Sequence, residues 1–185
     1  GMNCGTHANS DKELLSAKIV LADGTRLNTG DPESRTTFEK NHTPFLNKII
    51  EIRDEIRNDN ELSDRIRKKY SIKNVTGLNL LPFVIYDDPF DIIAHLMVGS
   101  EGTLAFLSEV TMKTEHDYPY SASAMLYFSN IKDACRAVVA MKPGPVFSAE
   151  LLDKKSLASV NDTTGTGLTA VLTETKADTP EELQA

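Results

Sequence analysis

Apolar residues fall into two periods along this chain. From residue 45 they recur at helical spacing, at Phe45, Ile49, Ile52 and Ile56, with Leu46 and Ile50 beside them. Lys48, Glu51, Asp54 and Glu55 take the opposite side, so the segment reads as an amphipathic helix with its stripe turned inward. Its polar side is not basic, which argues against a membrane-surface role. Ile92, Ile93, Leu96 and Met97 make a second helical stripe. From residue 104 the period changes to two. Leu104, Phe106, Val110 and Met112 share one parity, and Leu107, Glu109, Thr111 and Lys113 share the other. That alternation predicts a half-buried strand. Residues 17–21 predict another strand, Asp23-Gly24 a tight hairpin, and residues 26–29 its return.

Caps and breakers divide the rest. Asp31-Pro32, Thr43-Pro44 and Asp88-Pro89 each place a capping residue before a first-turn proline. Asn60-Glu61-Leu62-Ser63-Asp64 opens a helix that closes in Arg65-Ile66-Arg67-Lys68-Lys69-Tyr70. Cations there complement the helix dipole, or alternatively form an anion-attracting patch near a site. Leu80, Leu81, Phe83, Val84 and Ile85 form an apolar run that Pro82 interrupts. The helix begun at Asp88 delivers the chain to Gly99-Ser100-Glu101-Gly102. Two glycines there permit a sharp turn and close approach of a ligand to the peptide groups. The plainer reading is a helix C-cap followed by a strand.

After His116 the character changes. Asp117-Tyr118-Pro119-Tyr120 reads as a linker, and strands are expected at 122–128, 146–152 and 168–174. Asn130 caps a helix whose face is Ile131, Ala134, Cys135 and Val138. Asp153 caps a short helix with Leu152 and Leu157 as its staple, and residues 161–167 form a polar loop. Thr179-Pro180-Glu181-Glu182 is a capping box three residues before the last position. Strand, helix, strand, strand, helix is most of a ferredoxin-like α+β unit, and its final strand is expected to be missing.

Charge and composition narrow the function classes. The chain has 185 residues, a net charge of −7 and a pI of about 5.1. An acidic chain repels phosphate backbones, so no nucleic-acid partner is expected. No apolar run approaches the roughly 20 residues that span a bilayer, and no apolar leader is visible, so an integral membrane segment is not expected and a cytoplasmic location is. Cys4 and Cys135 lie far apart and are read as reduced thiols. His7, His42, His95 and His116 lack ligand spacing, so no metal site is expected. His95 sits in an apolar helical pattern and reads as a satisfied core histidine. Gly1 before Met2 has the form of a tag-removal scar, with Met2 the first encoded residue.

The string GSEGTLAFLSE at 99–109 resembles the signature of FAD-linked oxidases of the vanillyl-alcohol-oxidase superfamily, in its D-lactate, glycolate and 2-hydroxyglutarate dehydrogenase group. Residues 2–31 resemble the second half of that family's PCMH-type flavin domain, most closely at Met2, Cys4-Gly5-Thr6, Asn9 and 19–25. Lys73-Asn74-Val75-Thr76-Gly77-Leu78 is similar to its K-N-x-T-G-Y segment, with Leu78 in the tyrosine's place, so no catalytic role is carried onto Leu78. Residues 148–153, SAELLD, match a cap-domain strand.

The resemblance implies an α+β chain. Residues 1–116 would be the C-terminal part of an FAD-binding domain, and 117–185 the truncated start of the cap domain. It implies FAD as cofactor and a small D-2-hydroxy acid as substrate, with hydride passing to the flavin. Gly5, Thr6, Asn74, Gly77, Gly99, Ser100, Glu101 and Gly102 would be the cofactor-binding residues. Glu101 also reads as a brace of the turn, because an acid beside a diphosphate is repelled unless paired. The family's pyrophosphate loop would precede this chain, and its substrate-holding histidines and acid would follow it. No catalytic residue is therefore assigned, and the chain is expected to be inactive alone. The alternative is a non-catalytic folded remnant, a binding or self-association module that forms a homodimer through exposed strand edges. An upstream coding segment with the glycine-rich loop favours the enzyme, and a genuine start at Met2 favours the remnant.

Overall fold

The structure is a computed structural model, and it describes residues 9–72, 77–160 and 168–184. Helices and strands mix, with two three-stranded antiparallel sheets, as an α+β chain requires. Two compact units meet in sequence between Glu115 and His116.

The first unit carries α1 (Ser10–Glu13), β1 (Leu14–Val20), β2 (Arg26–Asn28), α2 (Pro32–Asn58), α3 (Asn60–Lys69), α4 (Leu81–Ile85), α5 (Pro89–Leu96) and β3 (Phe106–Met112). Its sheet has the order β2-β1-β3, antiparallel throughout. The hairpin forms at Asp23-Gly24, where the Asp23 carboxylate accepts from the Thr25 N–H at 2.9 Å and Gly24 takes φ +86°. Asp31, Asp59 and Asp88 cap α2, α3 and α5 by accepting the N–H groups of Ser34, Leu62 and Phe90. Each satisfies a donor that the first helical turn leaves open.

The expected helix start at Thr43-Pro44 is absent. α2 continues through Pro44, with a kink at His42 (φ −130°, ψ 30°). Proline cannot donate the helical bond and crowds the preceding turn, so the backbone yields just before it. The Thr43 hydroxyl does not cap; it donates back to the Glu39 carbonyl at 2.6 Å. Beyond the kink Leu46 and Ile56 are buried, with Ile49 and Ile52 packed against the same core. Phe45 falls off the stripe, exposed and edge-on to Phe38. The apolar run at 80–85 becomes α4, with Pro82 in its first turn, where no intrahelical donor is needed. Ile92 and Ile93 of α5 share one core with Ala17, Ile19 and Leu27 of the sheet.

β3 is not the half-buried strand that its alternation predicts. All seven of its residues are exposed, Phe106 at 69%. The helices pack against β1 and β2, and β3 lies at the sheet edge beyond them. Its apolar parity is present, but no described element covers it.

The second unit carries β4 (Tyr120–Phe128), α6 (Ile131–Met141), β5 (Ser148–Leu152), α7 (Lys154–Ser159), β6 (Thr169–Ala177) and α8 (Pro180–Gln184). The sheet order is β4-β6-β5, with β6 central and antiparallel to both neighbours. The β4–β6 ladder runs without a break from Tyr120↔Ala177 to Phe128↔Thr169. β4 thus begins at Tyr120, within the stretch read as linker. Asn130 and Asp153 cap α6 and α7 as their positions predict. At α8 the Thr179 hydroxyl accepts the Glu182 N–H at 3.2 Å, while the Glu182 carboxylate reaches back to the Asp178 N–H at 3.1 Å. Ala134, Leu157, Ala170, Val171 and Ala177 form this unit's small core.

Candidate functional site

α5 aims the chain at the glycine turn. Its last residues close with tightened bonds, from the Met97 N–H to the Ala94 carbonyl and from the Val98 N–H to the His95 carbonyl, both at 3.2 Å. Gly99 then takes φ +81° and stops the helix. Ser100 turns inward and is buried. Its hydroxyl donates to the Met97 carbonyl at 2.9 Å, and its own carbonyl accepts both the N–H and the hydroxyl of Thr103, at 2.9 and 2.6 Å. The Ser100 side chain is therefore committed to holding the turn from inside. Glu101 (φ +52°) and Gly102 (φ +76°) project outward and are exposed. Glu101 is the only described non-glycine residue with positive φ, a conformation that costs about 1 kcal/mol or more. Among the described residues, no hydrogen bond engages the N–H groups of Glu101 and Gly102.

A second glycine arrives from another part of the chain. Gly77 also has positive φ, +72°, and its carbonyl lies 3.6 Å from where a Cβ on Gly99 would stand. The structure thus brings Gly77 together with Gly99, Ser100, Glu101 and Gly102. Two anchors hold the Gly77 segment. The Tyr70 hydroxyl, at the end of α3, donates to the Leu78 carbonyl at 2.9 Å, and buried Asn79 accepts the Leu81 N–H at 2.9 Å. Among the described residues, a Cβ at Gly77 or Gly102 would meet nothing within 4 Å, so none of them fills the space beside either peptide group. Leu78, Leu80 and Leu104 are exposed close by in sequence. The result is a surface of open peptide groups with apolar side chains beside it. Glu101 forms no ion pair among the described residues, so an anionic group would meet an uncompensated carboxylate there.

Gly5, Thr6 and Asn74 lie outside the described residues. Arg65, Arg67, Lys68 and Lys69 are exposed at the end of α3. A cleft of about 520 Å³ opens elsewhere on the first unit, bordered by Lys18, Arg26, Asp31, Ser34 and Ser108, and no predicted site residue lines it. Among the described residues, no His, Cys, Asp and Glu gather into a metal-holding group, and no helix is long and apolar enough to cross a membrane. Cys135 is exposed and free.

Sequence reasoning missed the groups that position the turn. Tyr70 is one, and nothing local marks it. Arg57 is another. It donates to the Phe83 and Tyr86 carbonyls at 2.9 and 2.6 Å and pairs with Asp87, fixing the corner between α4 and α5. The Arg57 hydrogen bond holds the Asp87 carboxyl below the ordinary carboxylate range. His95 is buried as expected and stacks on Tyr86, but is satisfied at one nitrogen only. Nδ1 lies 2.7 Å from the Asp91 carbonyl, and among the described residues Nε2 has no partner. Burial, then the charges of Asp11 and Asp91, push the Tyr86 phenol above its usual range.

No family model matches the chain. The mitochondrial D-lactate dehydrogenase [cytochrome] of Arabidopsis thaliana is 33% identical over 79 residues, which is 42% of this chain and 14% of that protein. The chain is thus similar in part to a D-lactate dehydrogenase, over a small share of that relative's length.

Proposed function

We propose that the chain contributes part of an FAD-linked oxidoreductase of the D-lactate dehydrogenase type, and that the Gly99–Gly102 turn with Gly77 is a piece of its cofactor surface. In this reading the first unit is the later part of a PCMH-type flavin domain. The second unit is the start of a ferredoxin-like cap. Its strand order, β4-β6-β5 with β6 antiparallel in the centre, suits the first three strands of a split β-α-β sheet. The partial similarity to a D-lactate dehydrogenase supports the reaction class.

The convergence of two glycine segments carries the reading. Positive φ at Gly77, Gly99 and Gly102 exposes peptide edges that side chains would cover, and Ser100 holds them from below. The residues present fit a flavin ring better than a diphosphate, because open N–H groups meet the ring's polar edge while Glu101 repels phosphate. When bound, FAD supplies a hydride acceptor for a D-2-hydroxy acid. The chain's own residues bind and orient. The N–H groups of Glu101 and Gly102 donate to acceptors on the ligand, and the exposed leucines shield its apolar faces from water. No described side chain at the turn is placed to take the substrate's proton, so the chain alone turns over no 2-hydroxy acid.

Amide spectra of the ¹⁵N-labelled chain test the surface. FAD should move the resonances of Gly77, Gly99, Glu101 and Gly102 ahead of those in the second unit. Unmoved resonances at all four, or steady oxidation of D-lactate by the purified chain, would contradict the reading.

A further inference from the structure

We propose that the cleft between α3 and the end of α4 is a binding site for a small zwitterion, an α-amino acid with an aliphatic side chain. The cleft has a volume of about 430 Å³ and belongs to the first unit. From α3 it is lined by Ser63, Asp64 and Arg67, and from α4 by Val84 and Ile85. Arg57 and Asp87 complete its border. A buried polar group there points to a ligand. Ser63 is 8% exposed. Its N–H donates to the Asp59 carbonyl, but its hydroxyl has no hydrogen-bond partner among the described residues. A hydroxyl withdrawn from water without a partner is costly until a ligand group meets it.

Charge selects the ligand. Arg57 is committed to Asp87 and to the Phe83 and Tyr86 carbonyls, so that pair cancels. Two charges remain, Asp64 and Arg67, and neither forms an ion pair among the described residues. Three residues apart on α3, they are neighbours on one helix face, and Ser63 stands one turn before Arg67. A simple anion at Arg67 would leave Asp64 uncompensated beside it, and a simple cation at Asp64 would do the same to Arg67. A zwitterion answers both. Its carboxylate takes the Arg67 fork and the Ser63 O–H, and its ammonium donates to the Asp64 carboxylate. Val84 and Ile85 give the cleft an apolar side, which suits an aliphatic side chain. Asp64, Arg67 and Ile85 are exposed, so solvent screens the charges and Kd is on the order of 1 mM. The inference does not rest on the flavin reading.

Titration of L-valine into the ¹⁵N-labelled 185-residue chain, up to about 20 mM, tests the site. The amide resonances of Ser63, Asp64, Arg67 and Val84 should move on one saturable curve. Isovalerate, which lacks the ammonium, and isobutylamine, which lacks the carboxylate, should each bind at least about fivefold more weakly. Arg67→Gln should weaken valine at least about fivefold, and in Asp64→Asn valine should lose its advantage over isovalerate. Lys68 is exposed and does not line the cleft, so Lys68→Gln should leave valine binding unchanged. Circular dichroism shows that each variant is folded. Absence of saturable shifts, equal affinity of the parent chain for valine and isovalerate, or a loss in Lys68→Gln as large as that in Arg67→Gln would overturn the proposal.

Discussion

Replacing Gly99 by alanine isolates what the turn's backbone costs. Among the described residues, a Cβ added there would meet only the Gly77 carbonyl, at 3.6 Å, an ordinary van der Waals contact. Sterics therefore add almost nothing, and the penalty is the left-handed backbone itself. At φ +81° an L-alanine costs about 1–2 kcal/mol. Restricting the unfolded chain offsets about 0.4–1 kcal/mol of this. The net expectation is a loss of about 1 kcal/mol. Gly99 ends α5, whose Ile92 and Ile93 lie deep in the core, so the loss should appear in cooperative unfolding of the first unit rather than as local fraying. With a urea m-value of about 2 kcal/mol/M, the midpoint should fall by about 0.5 M in a circular-dichroism titration. Gly99→Asn should recover part of that, because asparagine tolerates the left-handed region better. If Gly99→Ala matches or exceeds the parent in stability, or if asparagine is no better than alanine, the strain assignment is wrong.

Other sites give contrasting readouts. Gly30→Ala should destabilise by about 1–3 kcal/mol through overpacking, since its Cβ would fall 2.7 Å from Ser16 Oγ and 2.8 Å from Ser16 Cβ; adding Ser16→Gly should restore much of the midpoint in the same urea assay. Tyr70→Phe removes the bond to the Leu78 carbonyl and should cost about 1 kcal/mol, with faster hydrogen exchange confined to the Gly77 segment. Asp23 and Asp153 have carboxyls lowered by the Thr25 and Ser156 N–H groups. A group with a depressed folded value stabilises fully above its unfolded value and loses that contribution as pH falls through the folded one. Stability should therefore decline below about pH 4, and less steeply in Asp153→Asn, as read from thermal midpoints in acid.

Much of the fold was legible because its signals are local. Asp31, Asp88, Asn130, Asp153 and Thr179 announce helices through chemistry complete within a few residues, and the structure shows each as a cap. Asp23-Gly24 announces its hairpin in the same way. What failed depended on neighbours. Thr43-Pro44 has the form of a helix start, yet packing of Leu46 and Ile56 carries α2 through the proline at the expense of a kink. The alternation at 104–112 marks which side of a strand is apolar, but whether anything covers it depends on distant elements, and in β3 nothing described does. At the site, the glycines of the 99–102 turn were visible as glycines. The resemblance put Gly77 at the same cofactor surface, but its direct contact with Gly99 and the Tyr70 strap were not visible, because no local pattern encodes a contact between separate loops. The inward turn of Ser100 was also hidden, since a serine between glycines reads equally as ligand contact or as brace.

The cofactor surface is tested most directly by titrating FAD into the purified chain and into Gly102→Ala, following flavin fluorescence. Among the described residues a Cβ at Gly102 would meet nothing within 4 Å, so apart from the left-handed backbone cost of about 1–2 kcal/mol at φ +76° the variant should stay folded, as circular dichroism checks, while obstructing a ligand. The account predicts saturable quenching by the parent chain and at least several-fold weaker binding by Gly102→Ala. Absent quenching by the parent, or equal affinity for the two chains, would contradict the assignment of this turn to the flavin.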